Sequence, residues 1–168
     1  FKGSMSHMLF HGIVKIVLFY TAGAILYTNH KEFVDDIEGF ALKMPKTFAL
    51  FTISSVSLIG IPPLAGFLSK FTLATAAVRE MSAENILPFI GVCALMFSAF
   101  MTAIYMGTFA LKAWFPRKEQ VLHFAEHEKD PGWKMKLPIV IFACIIIALG
   151  LFSKPLINLS VNTAYGKF

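Results

Sequence analysis

Four basic side chains stand where an apolar chain rarely tolerates them. His7, His11 and Lys15 recur every four residues inside one apolar run, and Lys70 lies in a second run, just beyond the pair Pro62-Pro63. A neutral imidazole accepts a proton on one nitrogen while holding one on the other, so histidines in series suit the passage of protons. A lysine joins such a series only where its surroundings make the neutral amine accessible. Spacing of i, i+4 and i+8 places positions 7, 11 and 15 along one helix stripe that drifts by only about 40° per step. An ionisable group held among apolar residues at membrane depth is costly unless it meets a partner or water, which makes each of the four a functional candidate. The expectation is a relay stripe turned to the interior, with Lys15 and His11 joined to polar groups of the segment that carries Lys70. Set against it, a solvated His7, a packing His11 and a snorkelling Lys15 need no function.

Lys70 draws its weight from the chain just before it. Two successive prolines remove two amide donors and clash with the preceding turn, so a helix here must be broken between Gly60 and Gly66. Broken backbone at membrane depth persists only where protein covers it or water reaches it. A lysine just beyond such a break meets unpaired carbonyls, the arrangement of discontinuous helices that hold ions near the midplane. Gly60, Pro62, Pro63 and Gly66 are therefore the expected break residues. Hydroxyls at Ser54, Ser55, Ser57, Ser69, Thr72, Ser98 and Thr102 suit bridging waters, although most such groups bond back to their own helix.

The elements that carry these residues follow from composition. Of 168 residues, 57% are hydrophobic and 15% charged, well under the share of charge that a soluble domain needs for its polar shell. The apolar residues come in runs of the length, roughly 20 residues, that a helix needs to cross about 30 Å of hydrocarbon. The reading is an all-α, polytopic transmembrane bundle with about four spans: 4–28, 47–79 broken at 60–66, 86–115 and 137–159. Each half of the second region is too short to span comfortably alone. Counting it as one interrupted span puts nine Lys and Arg in the loops 28–46 and 112–136, against four (Lys2, Arg79, Lys154 and Lys167) on the other side. Counting two spans divides them seven to six. The positive-inside rule favours the first and places both ends of this segment on the outer side of a bacterial or archaeal cytoplasmic membrane.

Other chemistry finds little support. His123-Phe124-Ala125-Glu126-His127 matches a zinc-protease pattern but lies in a loop between spans without a third ligand. Cys93 and Cys144 sit in apolar runs and read as packing residues, so neither a metal nor a cofactor is expected. The net charge of +5 is not arranged as a basic surface interleaved with aromatics, so no nucleic acid partner is expected.

The string His7-x3-His11-x3-Lys15, then LFYTAGAI, MPKT, SLIGIPPLAGFLSK and SAFMTAIYMGTFALKAWF, resembles the antiporter-like membrane subunits of respiratory complex I, multisubunit cation/proton antiporters and membrane-bound hydrogenases. The resemblance covers nearly the whole chain in order. It implies that residues 1–168 form the last four of about fourteen spans. It also implies a proton-carrying role for Lys70, and for His7, His11 and Lys15 a place on the polar axis joining two half-channels. The glutamate and lysine of the first half-channel would lie before Phe1, and some family members carry glutamate where Lys70 stands. The partners so implied are other membrane subunits, the lipid bilayer, and protons or Na+. The chain is expected to lack catalytic chemistry of its own within a redox-driven NADH:quinone oxidoreductase or hydrogenase complex, or a cation/proton antiporter. A self-standing transporter that binds a small solute at the break, and a structural subunit without transport, are the competing readings.

Overall fold

The computed structural model describes residues 2–30, 33–82, 85–116 and 130–152. The histidine-rich 123–127 pattern, Lys154, Lys167 and the last residues of the fourth expected span lie outside them. Among the described residues the architecture is helical throughout: α1 (Lys2–Asn29), a short α2 (Phe40–Lys43), α3 (Pro45–Ile59), α4 (Ala65–Arg79), α5 (Leu87–Trp114) and α6 (Trp133–Leu151). α1, α5 and α6 are long and apolar enough to cross a bilayer. α3 and α4, at 15 residues each, reach only about 22 Å apiece.

Local chemistry sets the ends of the two half-helices. Pro45 opens α3, where its missing N–H costs nothing because the first amides of a helix are unpaired anyway. Gly60 closes α3 in the left-handed conformation, φ 95°, with its N–H on the Val56 carbonyl at 3.1 Å and the Ile61 N–H on the same oxygen at 3.2 Å. Pro62 and Pro63 cannot continue the ladder. α4 begins at Ala65, so the interruption falls within the expected 60–66 window and Gly66 already lies in the first turn of the new helix.

α1 is the hub, packed along α3, α4 and α6, while α3 and α4 also share α5 and α6 as neighbours. Val14, Val17 and Leu18 of α1 meet Phe51 and Leu58 of α3 and Ile139 and Ile146 of α6 in the main core. A second cluster seats Phe40, Ala41 and Met44 against Ile25, Phe48 and Ala113, which docks the 33–44 connection onto the helix ends. The third, formed by Phe10, Ala65 and Leu149, lies beside the break. There Gly150 of α6 lets two backbones touch, since a methyl group at that position would run into the carbonyl oxygen of Pro63. The interrupted backbone is thereby covered on one side by protein, as its unpaired groups require. α5 turns Phe97, Phe100 and Tyr105 outward, as a helix facing lipid or further spans does. Cys93 of α5 and Cys144 of α6 are exposed as well, so neither packs into the core described here.

α6 begins at Trp133, four residues before the expected span, because the helix runs through Lys134 and Lys136 and admits Pro138 in its second turn. This end of α6 is tied to α3 through Asp130, which accepts from Thr47 Oγ1 at 2.8 Å and from Lys136 Nζ at 3.2 Å. Trp114 Nε1 adds a bond to Thr52 Oγ1 at 2.9 Å, and the Gly39 N–H another to the Lys112 carbonyl at 3.0 Å. Asp130→Ala is expected to lower stability by about 2 kcal/mol, because Thr47 is fully buried and loses its acceptor while Lys136 loses its counter-ion. Thermal unfolding of the purified protein in detergent measures this. Asp130→Asn, which keeps the acceptor for Thr47, should lose less.

Candidate functional site

The site is built where the tail of α3, the head of α4 and the first third of α1 converge. In an uninterrupted helix the Leu58 and Ile59 carbonyls would accept the amides of residues 62 and 63. Both of those are prolines and have no N–H. Lys70 supplies the missing donors: its Nζ stands 2.8 Å from the Leu58 carbonyl oxygen and 3.0 Å from that of Ile59. The ammonium therefore closes the C-terminus of α3, where the helix dipole also favours positive charge. Gly60 leaves room for the lysine stem, for a Cβ there would stand 3.1 Å from Lys70 Cδ.

The half-helices are pinned together by a second set of contacts. The Gly66 N–H donates to Ser57 Oγ at 3.3 Å, and Ser69 Oγ donates to the Gly66 carbonyl at 3.1 Å. Ser57 and Ser69 are fully buried. His7 of α1 reaches across to Ser69, with Nδ1 and Oγ 3.0 Å apart. His11 lies one turn further along, its ring centroid 5.4 Å from that of His7. His7, His11, Ser57, Ser69 and Lys70 all line one small cavity, together with Phe10, Val14, Leu58 and Gly66. The centre of a water molecule can move over about 10 Å³ of it, which is space for about one water. Since an ammonium carries three donors and two are held by carbonyls, one remains for that space.

Lys15 is placed differently. Eight residues on from His7, it has turned about 80° around the axis of α1. It lies exposed on this chain, in an apolar groove of about 650 Å³ between α1 and α5, whose lining includes Phe51, Tyr105, Phe109 and Lys112. The fold thus brings His7 and His11 to Lys70 and leaves Lys15 on the neighbouring face. Ser57 and Ser69 prove to be the hydroxyls that organise the site. Their nearness to the proline break was the available signal, but nothing in the sequence separates them from Ser54, which bonds back to Leu50.

Residues 1–98, which include all four basic candidates, match the transmembrane family described as NADH:quinone oxidoreductase/Mrp antiporter. NADH-quinone oxidoreductase subunit N of Desulforudis audaxviator is 31% identical over 165 residues, covering 93% of this chain and 32% of that protein. Subunit L of Mycobacterium tuberculosis is 32% identical over 154 residues, covering 88% of this chain and 24% of the relative. Among solved structures, a chain of the membrane-bound sulfane sulfur reductase, an archaeal respiratory membrane complex, superposes with a TM-score of 0.81 at 26% identity, over 99% of this chain and 31% of its own. A chain of the Mrp complex from Dietzia sp. DQ12-45-1b shares the fold, with a TM-score of 0.69 at 22% identity over 95% of this chain and 36% of its own. The chain therefore spans about a quarter to a third of the length of these curated relatives.

Proposed function

Since the chain belongs to the NADH:quinone oxidoreductase/Mrp antiporter transmembrane family, we propose that it carries a proton-conducting half-channel of an antiporter-like subunit in a multisubunit energy-converting membrane complex. One observation carries this reading: a lysine ammonium occupies the two carbonyls bared by Pro62 and Pro63, and shares a one-water cavity with two histidines. Protonated, Lys70 bridges the half-helices. On passing its proton to an imidazole, directly or through one water, the amine keeps two N–H groups but loses the charge that strengthened both bonds. Occupancy of the proton site and the grip on the break are thus linked. The size of the cavity favours a proton over a small solute.

In this reading α1, the α3–α4 pair, α5 and α6 are four spans of an integral membrane protein, with both ends of the segment on the outer side by the distribution of Lys and Arg. Other membrane subunits cover its exposed apolar faces together with lipid, and Lys15, on the face next to the histidines, carries protons onward. The chain's residues supply proton passage, and neighbouring subunits supply the energy.

The test is a double variant, His7→Gln with His11→Gln, in the full-length polypeptide assembled with its partners and reconstituted in vesicles. Glutamine can still bond Ser69 but cannot carry a proton. Proton flux should fall by about a hundredfold or more, the range that a positioned acid–base group contributes, while assembly is retained. Undiminished flux would overturn the proposal. Driving the same vesicles with and without Na+ identifies the coupled ion: a flux of unchanged size without Na+ supports protons, and a flux that requires Na+ refutes the proton assignment.

A further inference from the structure

We infer that Ser69 is a positioning residue that holds the neutral His7 ring with its proton on Nδ1, leaving the Nε2 lone pair to receive the proton that Lys70 releases; this rests on the proton-conducting reading above. The argument is one of donor and acceptor parity. A serine hydroxyl has one proton to give and two lone pairs. That of Ser69 is directed to the Gly66 carbonyl at 3.1 Å, so towards His7 Nδ1 at 3.0 Å the oxygen can act only as acceptor. The Gly66 carbonyl is itself held in place, because it belongs to the first turn of α4. The hydroxyl is fully buried, with no solvent to offer its proton elsewhere.

The opposite arrangement conflicts with the cavity. His7 and Lys70 both line a space about one water wide; were Nδ1 the bare nitrogen, the ring could offer that space only an N–H, beside the third N–H of the Lys70 ammonium. Two donors would then compete for one water, with no ring lone pair to receive the proton. With the proton on Nδ1, Lys70 N–H, water and Nε2 follow one another as donor, relay and acceptor. The same hydroxyl therefore ties α1 to α4 and sets the sense in which the imidazole conducts.

The measurement is the ¹⁵N chemical shifts of the histidine ring nitrogens, which distinguish a protonated from a bare nitrogen. It is made on the full-length polypeptide in its membrane assembly, labelled with ¹⁵N-histidine, at a pH where the rings are neutral. His7 is identified by the signals lost in His7→Gln. We expect Nδ1 protonated and Nε2 bare in the wild type. Ser69→Thr should keep that pattern, because threonine retains a hydroxyl able to bond back to the turn, and Ser69→Ala should lose the single tautomer. A bare Nδ1 in the wild type, or an unaltered tautomer in Ser69→Ala, would overturn the inference. If Ser69→Ala fails to assemble, the wild-type and Ser69→Thr spectra decide alone. None of these readouts depends on pumping, so a failure here leaves the proton-conducting reading standing, and normal flux in the double histidine variant would remove that reading without touching the tautomer.

Discussion

Lys70→Ala is expected to abolish proton translocation by the assembled complex while leaving assembly nearly intact. The loss of function follows from removing the only ionisable side chain among the described residues that both bridges the break and lines the histidine cavity. The effect on the fold is a difference between opposed terms. The Leu58 and Ile59 carbonyls lose charge-assisted bonds, each worth roughly 1.5–3 kcal/mol. Against this, an ammonium no longer has to be held away from bulk water, and the space left by the side chain admits water to the same carbonyls. A net destabilisation of about 1–2 kcal/mol is expected, small against the loss of flux. Lys70→Arg separates the two roles. Its guanidinium can occupy the carbonyls and restore stability, yet it stays protonated and cannot hand a proton on, so flux should remain low. Acidification of vesicles containing the reconstituted complex is the readout, and wild-type proton stoichiometry in either variant would sink the assignment.

Gly66→Ala should have the largest effect on the fold. The Cβ it adds would be driven into the carbonyl oxygen of Ser57, a backbone atom that cannot swing aside. Relief requires α4 to move off α3, which lengthens the Gly66–Ser57 bond and withdraws Lys70 from the two carbonyls together. Overpacking costs about 1–3 kcal/mol and occasionally more, a clash with backbone lies at the upper end of that range, and the variant should fail to assemble or should pump poorly with an altered break. Gly107→Ala is the matched control. It lies in α5 with open space where its Cβ would go, and the change should stay within about 1 kcal/mol. Comparable thermal stability for the two variants would show that α3 and α4 do not approach as closely as described.

Much of this architecture was legible from residue type and order. The length of the apolar runs determined the all-α membrane class, because a bilayer of fixed thickness demands helices of a certain length. Pro62-Pro63 located the break, since a missing N–H is a property of the residue and not of its surroundings. The same apolar setting picked out His7, His11, Lys15 and Lys70. Less legible were α2, whose four residues are too few to show a period, and the start of α6, where Lys134 and Lys136 made helical chain look like loop.

What the sequence could not decide was which of these groups meet. Helical spacing gives the angle of each side chain about its own axis, but the position of one axis against another comes from side chains and backbones distant in the chain. Gly66 against Ser57 and Gly150 against Pro63 let the backbones close in around the break. The packing of α1 along α4 brings His7 and His11 to Lys70, while a further turn of α1 leaves Lys15 beside α5. The pairing of Lys70 with Leu58 and Ile59 has its cause in the two prolines, yet only the fold of α4 back against α3 shows that this lysine, and not a water molecule, fills the place of the missing amides.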